Sequence, residues 1–267
     1  MGHSPAEVTA VVPARNAEQL LPRCLEALRA SGVAEIILVD GLSTDRTVEL
    51  ARAAGARVLS DEGRGLPWAR TLGVQSSTTR WVLLCDADVV FGPTGVADLL
   101  TELVEGNYDA LQAGLESVAG PGYWGQALAH HHRTGRSRNW FGLVATLVDR
   151  DLMLGMGFDD SFKSGEDIEL RWRMRESGLR TAVSDRVMVE HRFAADDFDF
   201  ALDQFLMDGT GLGRMIRKHG WRGARLALLP AAAAVRGSAL SLWLRYYVAF
   251  CWYNYAGLAR GVSRREG

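Results

Sequence analysis

The sequence predicts an α/β fold in which helices flank a mostly parallel sheet, and two observations lead to that prediction. In the first hundred residues, short β-rich apolar runs alternate with segments whose apolar residues recur at helical spacing. Such alternation is typical of a parallel sheet built with right-handed crossovers. The chain has 267 residues, of which 48% are hydrophobic and 23% charged. It can therefore bury a sizeable core, which excludes disorder along the whole chain.

Seven elements are predicted in this first region. The strands are residues 8–12, 35–39, 56–60 and 80–85. The first helix is expected to start with Asn16 as its N-cap and Gln19 at the capping-box position. The second is predicted to start at residues 43–45 and to end at Gly55, and the third to hold Pro67 in its first turn.

The pattern becomes less regular after this region, although strands are still predicted at residues 108–115 and 143–148. Residues 166–176 carry conflicting signals, because their apolar side chains alternate as in a strand. A capping Ser164, acidic residues in the first turn and Gly178 at the end favour a helix instead. We predict a helix whose apolar stripe includes Ile168 and Trp172, four residues apart.

Polar residues follow three of the predicted strands, at residues 13–16, 40–43 and 86–88. In open α/β sheets, ligands bind beyond the carboxyl ends of the strands. Asp86 and Asp88 repel each other unless a cation or several hydrogen-bond donors meet them. A Mg²⁺ or Mn²⁺ ion, held by one or two carboxylates and by substrate phosphates, meets that need. The alternatives are a solvated turn here and simple helix caps at Asn16 and Asp40.

Three consecutive histidines, residues 130–132, do not predict a metal site. Adjacent residues on a helix point in different directions, so these three side chains cannot converge on one ion. We expect a solvated helical face.

Six segments occur in the order found in a known family. They are VVPARN (11–16), VDGLSTDRT (39–47), GLPWART (65–71), LLCDADVVF (83–91), GFDDSFKSGEDIELRWRMRESG (157–178) and VEHR (189–192). With these segments the chain resembles the inverting nucleotide-sugar glycosyltransferases of family 2, which have the GT-A fold. The resemblance runs from about Val8 to Arg192.

The resemblance implies roles on the donor side. The nucleotide pocket would be lined by Pro13, Arg15, Asn16 and Asp40, with Asp40 as the partner of the base. Arg70 stands where the family places an arginine near the pyrophosphate. Gly41-Leu42 replace the commoner Asp-Gly, Thr71 replaces the usual Asn, and Met156 stands where a glycine is usual.

The resemblance also implies the metal ligands and the base. Asp86 and Asp88 form the DxD motif, in which Asp88 ligates Mn²⁺ or Mg²⁺ directly and Asp86 reaches the ribose or a metal-bound water. His191 matches a histidine that ligates the metal in some members. Asp167 is the expected catalytic base, with Glu166 beside it.

The implied reaction is the transfer of a sugar from a nucleotide diphosphate donor to an acceptor hydroxyl. One base suffices for a single in-line displacement, and no second carboxylate can be assigned as a nucleophile, so inversion is predicted. The alternatives are a sugar-nucleotide nucleotidyltransferase and a non-catalytic nucleotide-sugar-binding module of the same fold. The first usually has a glycine-rich loop after its first strand, which residues 13–16 lack.

The C-terminal part of the chain differs in charge from the rest. Residues 209–265 hold ten basic and no acidic residues, so residues 209–267 sum to +9 and residues 1–208 to −11. The longest uncharged stretch, residues 246–259, is shorter than the roughly 18 residues that a bilayer span requires. Aromatic residues and arginines without acids suit an anionic membrane surface. A helical pair packed on the catalytic domain and a spanning hairpin are the alternatives, and no nucleic-acid motif is present.

These observations predict a GT-A catalytic domain at residues 1–200 and a helical, membrane-associated region at residues 201–267. The acceptor would be lipid-linked or a saccharide. Three widely spaced cysteines form no disulfide framework, and the first residues resemble no secretory signal. We therefore expect a cytoplasmic protein, peripheral on the inner face of the cell membrane.

Overall fold

The computed structural model describes residues 4–134, 141–237 and 241–263, which form two compact units. The first unit comprises Met1–Glu116, Trp140–Phe158 and Leu170–Arg192. The second comprises Ser117–Asn139, Asp159–Glu169 and Phe193–Gly267. The predicted boundary at residue 200 stays a prediction, and Arg264 and Arg265 lie outside the described residues.

An eight-stranded sheet organises the first unit. Its strands are β1 (Val8–Ala14), β2 (Glu35–Asp40), β3 (Arg57–Ser60), β4 (Trp81–Cys85), β5 (Val89–Val90), β6 (Ala110–Val118), β7 (Ala145–Asp149) and β8 (Thr181–Arg192). The strand order is β3-β2-β1-β4-β7-β6-β8-β5. The β1–β2, β1–β4 and β2–β3 pairs are parallel, as predicted, whereas β4–β7, β6–β7 and β5–β8 are antiparallel.

Ten α-helices accompany the strands in the part of the chain that the structure describes. They are α1 (Leu21–Ala30), α2 (Thr47–Ala53), α3 (Leu66–Ser76), α4 (Gly95–Glu105), α5 (Tyr123–Arg133), α6 (Arg150–Met156), α7 (Glu166–Glu176), α8 (Phe198–His219), α9 (Leu229–Gly237) and α10 (Leu244–Ser263). The predicted α/β class and the helical C-terminal region are confirmed.

The central strands are buried on both faces, which explains their continuous apolar runs. Along β1, Ala10 and Val12 join a core cluster with α1 and α4, while Val11 joins a second cluster with α3, α6 and α7. This alternation follows from the period of two of a β-strand. The parallel part of the sheet therefore has helices on both faces and leaves its strand ends for polar residues.

Two local predictions about helices were wrong. Asn16 does not cap α1, which begins at Leu21 after Leu20, and no side chain caps it. Instead Asn16 has a positive φ of 52° and bonds to the loop after β2. Residues 166–176 are a helix, as predicted, but the deeply buried stripe consists of Leu170 and Met174 rather than Ile168 and Trp172.

The second unit is built around α8 and α10, which pack through four glycines. A methyl group on any of them would collide with a backbone carbonyl of the other helix; they are Gly209, Gly213, Gly257 and Gly261. This contact, here called the glycine seam, brings the two helix backbones together as small residues do in tightly packed helix pairs. Within the described residues, no helix combines the length and apolarity that a membrane crossing requires.

Candidate functional site

The carboxyl ends of β1 and β2 form a polar corner in the first unit. Parallel register pairs Ala14 with Asp40, and the Asp40 side chain is 8% exposed. Its carboxylate accepts a hydrogen bond from the Ser43 backbone N–H at 3.2 Å. The Asn16 Oδ1 accepts one from the Thr44 backbone N–H at 2.8 Å. These bonds fix the loop after β2 against the end of β1, where nucleotide-binding residues were predicted.

The other residues predicted for the nucleotide pocket lie at the same corner. Pro13 is buried opposite Val39, and Arg15 is exposed. A methyl group on Gly41 would lie 3.3 Å from the Arg15 Cβ, so glycine allows this close approach. Leu42 has a φ of 62°, a left-handed conformation that favours the glycine it replaces.

Asp61 belongs to this corner, although the sequence analysis did not select it. It follows β3, its side chain is 3% exposed, and its backbone N–H donates to the Asp40 carbonyl at 3.0 Å. Its carboxylate accepts hydrogen bonds from the backbone N–H groups of Gly63 and Gly65. An acidic residue directly after a strand, followed by two glycines, was the signal that could have identified it.

Arg70 comes next to the acidic pair through the packing of α3 on β1. A methyl group on Gly73 of α3 would collide with Val11, so the helix lies close against the strand. The Arg70 side chain is almost fully buried, and its Nη2 donates to Asp86 Oδ1 at 2.9 Å. A buried guanidinium thus meets the first carboxylate after β4.

The second carboxylate, Asp88, lies beside His191 because β5 pairs with β8. Val89 is opposite His191 in that pair, and the Arg192 backbone N–H donates to the Asp88 carbonyl at 3.0 Å. Asp88 Oδ2 lies 3.4 Å from His191 Nε2. Asp88 Oδ1 is buried and has no hydrogen-bond partner among the residues described. A buried carboxylate oxygen without a donor suits a cation.

The electrostatics of the pair reflect its enclosure. Burial and the charge of Asp88 raise the pKa of Asp86 to about 6, against the lowering effect of Arg70. Burial opposes the charged form of His191, but its hydrogen bond to Asp88 and the charge of Asp88 raise its pKa overall. At Asp86, the charges of Arg70 and His191 thus do not offset burial and the charge of Asp88.

The donor atoms fit a hard divalent ion whose remaining ligands come from outside the protein. Over the described ranges, no three His, Cys, Asp or Glu residues form a group that could hold a metal. Mg²⁺ and Mn²⁺ ions accept one or two carboxylates together with waters and substrate phosphates. Asp88 and His191 can supply the protein's share.

The predicted acid pair lies in the second unit, at the start of α7. Glu166 and Asp167 are the first two residues of that helix, and Glu166 is 7% exposed. A helix N-terminus favours ionised carboxylates. On α8, partial loss of water and the charge of Asp167 raise the pKa of Asp208.

Two basic residues of α8, Arg214 and Lys218, bond to the segment of the acid pair and were not selected from the sequence. Glu169 of α7 has no exposed surface, and Lys218 of α8 donates to its Oε1 at 2.5 Å. Arg214 of α8 donates to the Oγ of Ser164 at 3.0 Å. The spacing of Arg214 and Lys218 along α8 is visible in the sequence. The contact between Lys218 and Glu169, which are 49 residues apart, is not.

The C-terminal helix presents apolar side chains to solvent. The exposed residues Leu244, Val248, Trp252 and Tyr255 lie on one face of α10, here called the α10 stripe. An open groove of about 810 Å³ runs beside it, lined by Trp124, Phe198, Arg245 and residues of the stripe. Arg245 is exposed, and its guanidinium lies 5.3 Å from the Trp124 ring centre.

The sequence matches one family model, described as Glycosyl transferase family 2, over residues 9–157. Among curated relatives, the chain is 31% identical over 186 residues to the uncharacterized glycosyltransferase Mb0553 of Mycobacterium bovis. That alignment covers 67% of this chain and 83% of the relative. This chain is also 26% identical over 268 residues to the pre-mycofactocin glycosyltransferase of Mycobacterium tuberculosis, and that alignment covers 91% of this chain. The chain spans about half, 53%, of that relative's length.

The fold is similar to that of a solved structure, the mannosyltransferase PcManGT from Pyrobaculum calidifontis in complex with GDP-Man and Mn²⁺. The TM-score is 0.71 with 18% sequence identity, and the match covers 98% of this chain and 90% of the other. At this identity the likeness shows a shared fold.

Proposed function

Because the chain belongs to glycosyltransferase family 2, we propose that it is a metal-dependent, inverting glycosyltransferase that uses a nucleotide diphosphate sugar. The fold shared with PcManGT confirms the predicted GT-A architecture. The observation that carries the proposal is the arrangement after β4. There a buried Asp88 oxygen without a hydrogen-bond donor lies beside His191, and the adjacent Asp86 is paired with a buried arginine.

Mn²⁺ or Mg²⁺ would be held by Asp88 and His191, with Asp86 reaching the ribose or a metal-bound water. When bound, the ion supplies positive charge to the departing nucleotide diphosphate. The complex of PcManGT contains Mn²⁺ together with GDP-Man, which supports the use of a divalent metal.

The remaining donor residues hold the nucleotide and prepare its departure. Pro13, Arg15, Asn16 and Asp40 bind the nucleoside at the corner of β1 and β2. Arg70 brings a fixed positive charge to the diphosphate side while it orients Asp86. A guanidinium that is already buried needs little reorganisation when negative charge develops nearby, so it stabilises the leaving group effectively.

Asp167 is proposed to take the proton from the acceptor hydroxyl. Its position in the first turn of α7 favours the ionised, proton-accepting form, and Glu166 stands beside it. Because a single displacement needs one base and no protein nucleophile, the configuration at the sugar's anomeric carbon inverts.

The acceptor is proposed to be lipid-linked or a saccharide, met at the cytoplasmic surface of an anionic membrane. The α10 stripe and its groove are apolar, and Arg245 and Arg260 on the same helix are exposed. Apolar side chains with flanking arginines favour the interface of an anionic leaflet. A peripheral position fits these features, and no nucleic-acid partner is proposed.

The stereochemistry of the product tests the reaction class. Transfer from an anomerically pure nucleotide sugar should give the opposite anomer, as read by NMR during the first turnovers. Asp167→Asn should lower kcat by about 10²- to 10⁴-fold, the usual contribution of a general base. The exposed Asp185 on β8 offers a matched control, and Asp185→Asn should be fully active. A retained configuration, or an active Asp167→Asn variant, would contradict the proposal.

A further inference from the structure

One face of α8 holds the segment 159–169, which carries Asp167. Three residues at helical spacing form this face: Gly211, Arg214 and Lys218. The backbones of Gly165 and Gly211 touch, because a methyl group added to Gly165 would lie 2.7 Å from the Gly211 Cα. Gly165 also has a φ of 78°, which favours glycine. The turn before α7 is thus fixed against α8 by its backbone.

Arg214 fixes the residue before that turn. Its side chain is 7% exposed, and its Nη1 donates to the Ser164 carbonyl at 3.3 Å and to the Ser164 Oγ at 3.0 Å. These bonds lie two residues before the first turn of α7. A charged donor on two oxygens of one residue restrains the direction in which the helix starts.

Lys218 joins the two ends of the segment. Its Nζ donates to Asp159 Oδ2 at 2.6 Å and to Glu169 Oε1 at 2.5 Å. Burial opposes the charge on Lys218, but the hydrogen bonds to Asp159 and Glu169 raise its pKa overall. Glu169 has no exposed surface, so its carboxylate requires partners within the protein, and Lys218 supplies a charged one.

We propose that Lys218, assisted by Arg214, is a positioning residue that orients Asp167 and keeps it ionised. Asp167 lies two residues from Glu169 on α7, so the contact that fixes Glu169 also fixes the first turn of the helix. The positive charge favours the ionised form of the nearby carboxylates. The inference rests on the proposed role of Asp167 as the base.

The charged surroundings of Asp167 make the pH dependence of activity a direct test. Acidic groups outnumber basic ones on the two elements concerned. The charged residues of the segment beside Asp167 are Asp159, Asp160, Lys163, Glu166 and Glu169, and those on the facing part of α8 are Asp208, Arg214 and Lys218. On α7 itself, Arg171 follows Asp167 by one helical turn. Removing Lys218, which bonds to the segment, therefore raises the pKa of the base, and removing the buried Glu169 carboxylate lowers it. The charge of the exposed Lys163 is screened by water, so its removal has little effect.

Two variants should shift the acid limb of the kcat/KM profile in opposite directions. Lys218→Met keeps the alkyl stem and loses the charge, so the limb should move to higher pH by about one unit. Its kcat at neutral pH should fall at least tenfold, and Lys218→Arg should restore part of it. Glu169→Gln keeps the shape and removes a negative charge, so the limb should move to lower pH. Nucleotide affinity, measured by calorimetry, should stay unchanged in all three.

Lys163→Met is the matched control, because Lys163 is an exposed lysine of the same segment and should leave rate and profile unchanged. A purely structural role for Lys218 predicts a lower Tm with an unmoved acid limb and normal kcat below the Tm, and that result would overturn the proposal. If Lys218→Met does not fold, the direction in which Glu169→Gln shifts the acid limb tests the proposal by itself. An active Asp167→Asn variant would instead contradict the proposed function, because it would show that Asp167 is not the base.

Discussion

At the scale of single residues, His131 illustrates how an ionisable side chain can lie inside an aromatic cluster. Its ring centre is 4.8 Å from that of Phe250 and 5.7 Å from that of Tyr247. Burial and the charge of His130 lower the pKa of His131 to about 4. The solvated face predicted for the three histidines was therefore wrong for this residue, since helical phase turns it toward α10.

His131 should make the second unit sensitive to acid. The unfolded chain binds a proton near pH 6.5 and the folded one near pH 4, so the stability contributed by neutral His131 is present above pH 6.5 and is lost as pH falls toward 4. At about 1.4 kcal/mol per unit, the loss is up to about 3 kcal/mol. Urea unfolding between pH 7.5 and 4 should show a smaller decline in His131→Phe than in the wild type. Equal declines in the two proteins would contradict this account.

Some residues of the candidate site could be predicted from the sequence, and one contact could not. Asp86 and Asp88 directly follow β4, and Arg70 reaches Asp86 because α3 packs closely against β1. His191 joins them through the β5–β8 pair. The Lys218–Glu169 contact was not predictable, because it depends on the helical phase of two distant helices.

At the scale of elements, the glycine seam decides how α8 and α10 pack. The spacing of four residues within each pair places Gly209 and Gly213 on one face of α8, and Gly257 and Gly261 on one face of α10. The carbonyl that a methyl group on Gly209 would meet belongs to Asn254. This residue is 1% exposed, and its side-chain amide donates to the Phe250 carbonyl within α10. The close approach leaves no room for a methyl group.

Two glycine-to-alanine substitutions should therefore have opposite effects on stability. Gly213→Ala places a methyl group against the α10 backbone and should cost about 1–3 kcal/mol, despite the better helix propensity of alanine. Gly155 of α6 has no neighbour within 4 Å of its added methyl group, so Gly155→Ala should gain up to about 1 kcal/mol. Thermal unfolding followed by circular dichroism measures both. A Gly213→Ala variant as stable as the wild type would contradict the close packing of α8 and α10 at the glycine seam.

The elements themselves were predicted with uneven success, for a physical reason. Strands β1 to β4 were expected as a parallel group because short crossover helices link them. The antiparallel half could not be derived from local pattern, because strand direction after a long connection depends on tertiary packing. The β4–β7 pair, for example, joins residues 60 to 68 positions apart.

At the scale of the whole molecule, the cations of the C-terminal part fall into two groups. Some of its cations have partners within the second unit: Arg214 at Ser164, Arg217 at the Gly261 carbonyl and Lys218 at Glu169. Others, such as Arg245 and Arg260, are exposed next to apolar side chains of α10. The second group is the one that a membrane surface would meet.

Vesicle binding tests this assignment. The protein should sediment with vesicles containing phosphatidylserine but not with pure phosphatidylcholine, and less at high salt. Each of Arg245→Gln and Arg260→Gln should weaken binding about fivefold, from about 1 kcal/mol per basic residue at the surface. Trp252→Ser should weaken it further, and Arg52→Gln on α2 is the control. Binding that depends neither on lipid charge nor on any of these three substitutions would contradict the assignment.

The central claim is that the residues after β4 hold a metal and a nucleotide together. Isothermal titration with UDP and with GDP, each with and without Mn²⁺, tests it most directly. Asp98 is an exposed aspartate of α4, so Asp98→Asn is the matched control for Asp88→Asn. We expect one nucleotide to bind only with Mn²⁺, equally in the wild type and Asp98→Asn, and at least tenfold more weakly in Asp88→Asn. Nucleotide binding that is independent of both Mn²⁺ and Asp88, or no binding under any condition, would contradict the account.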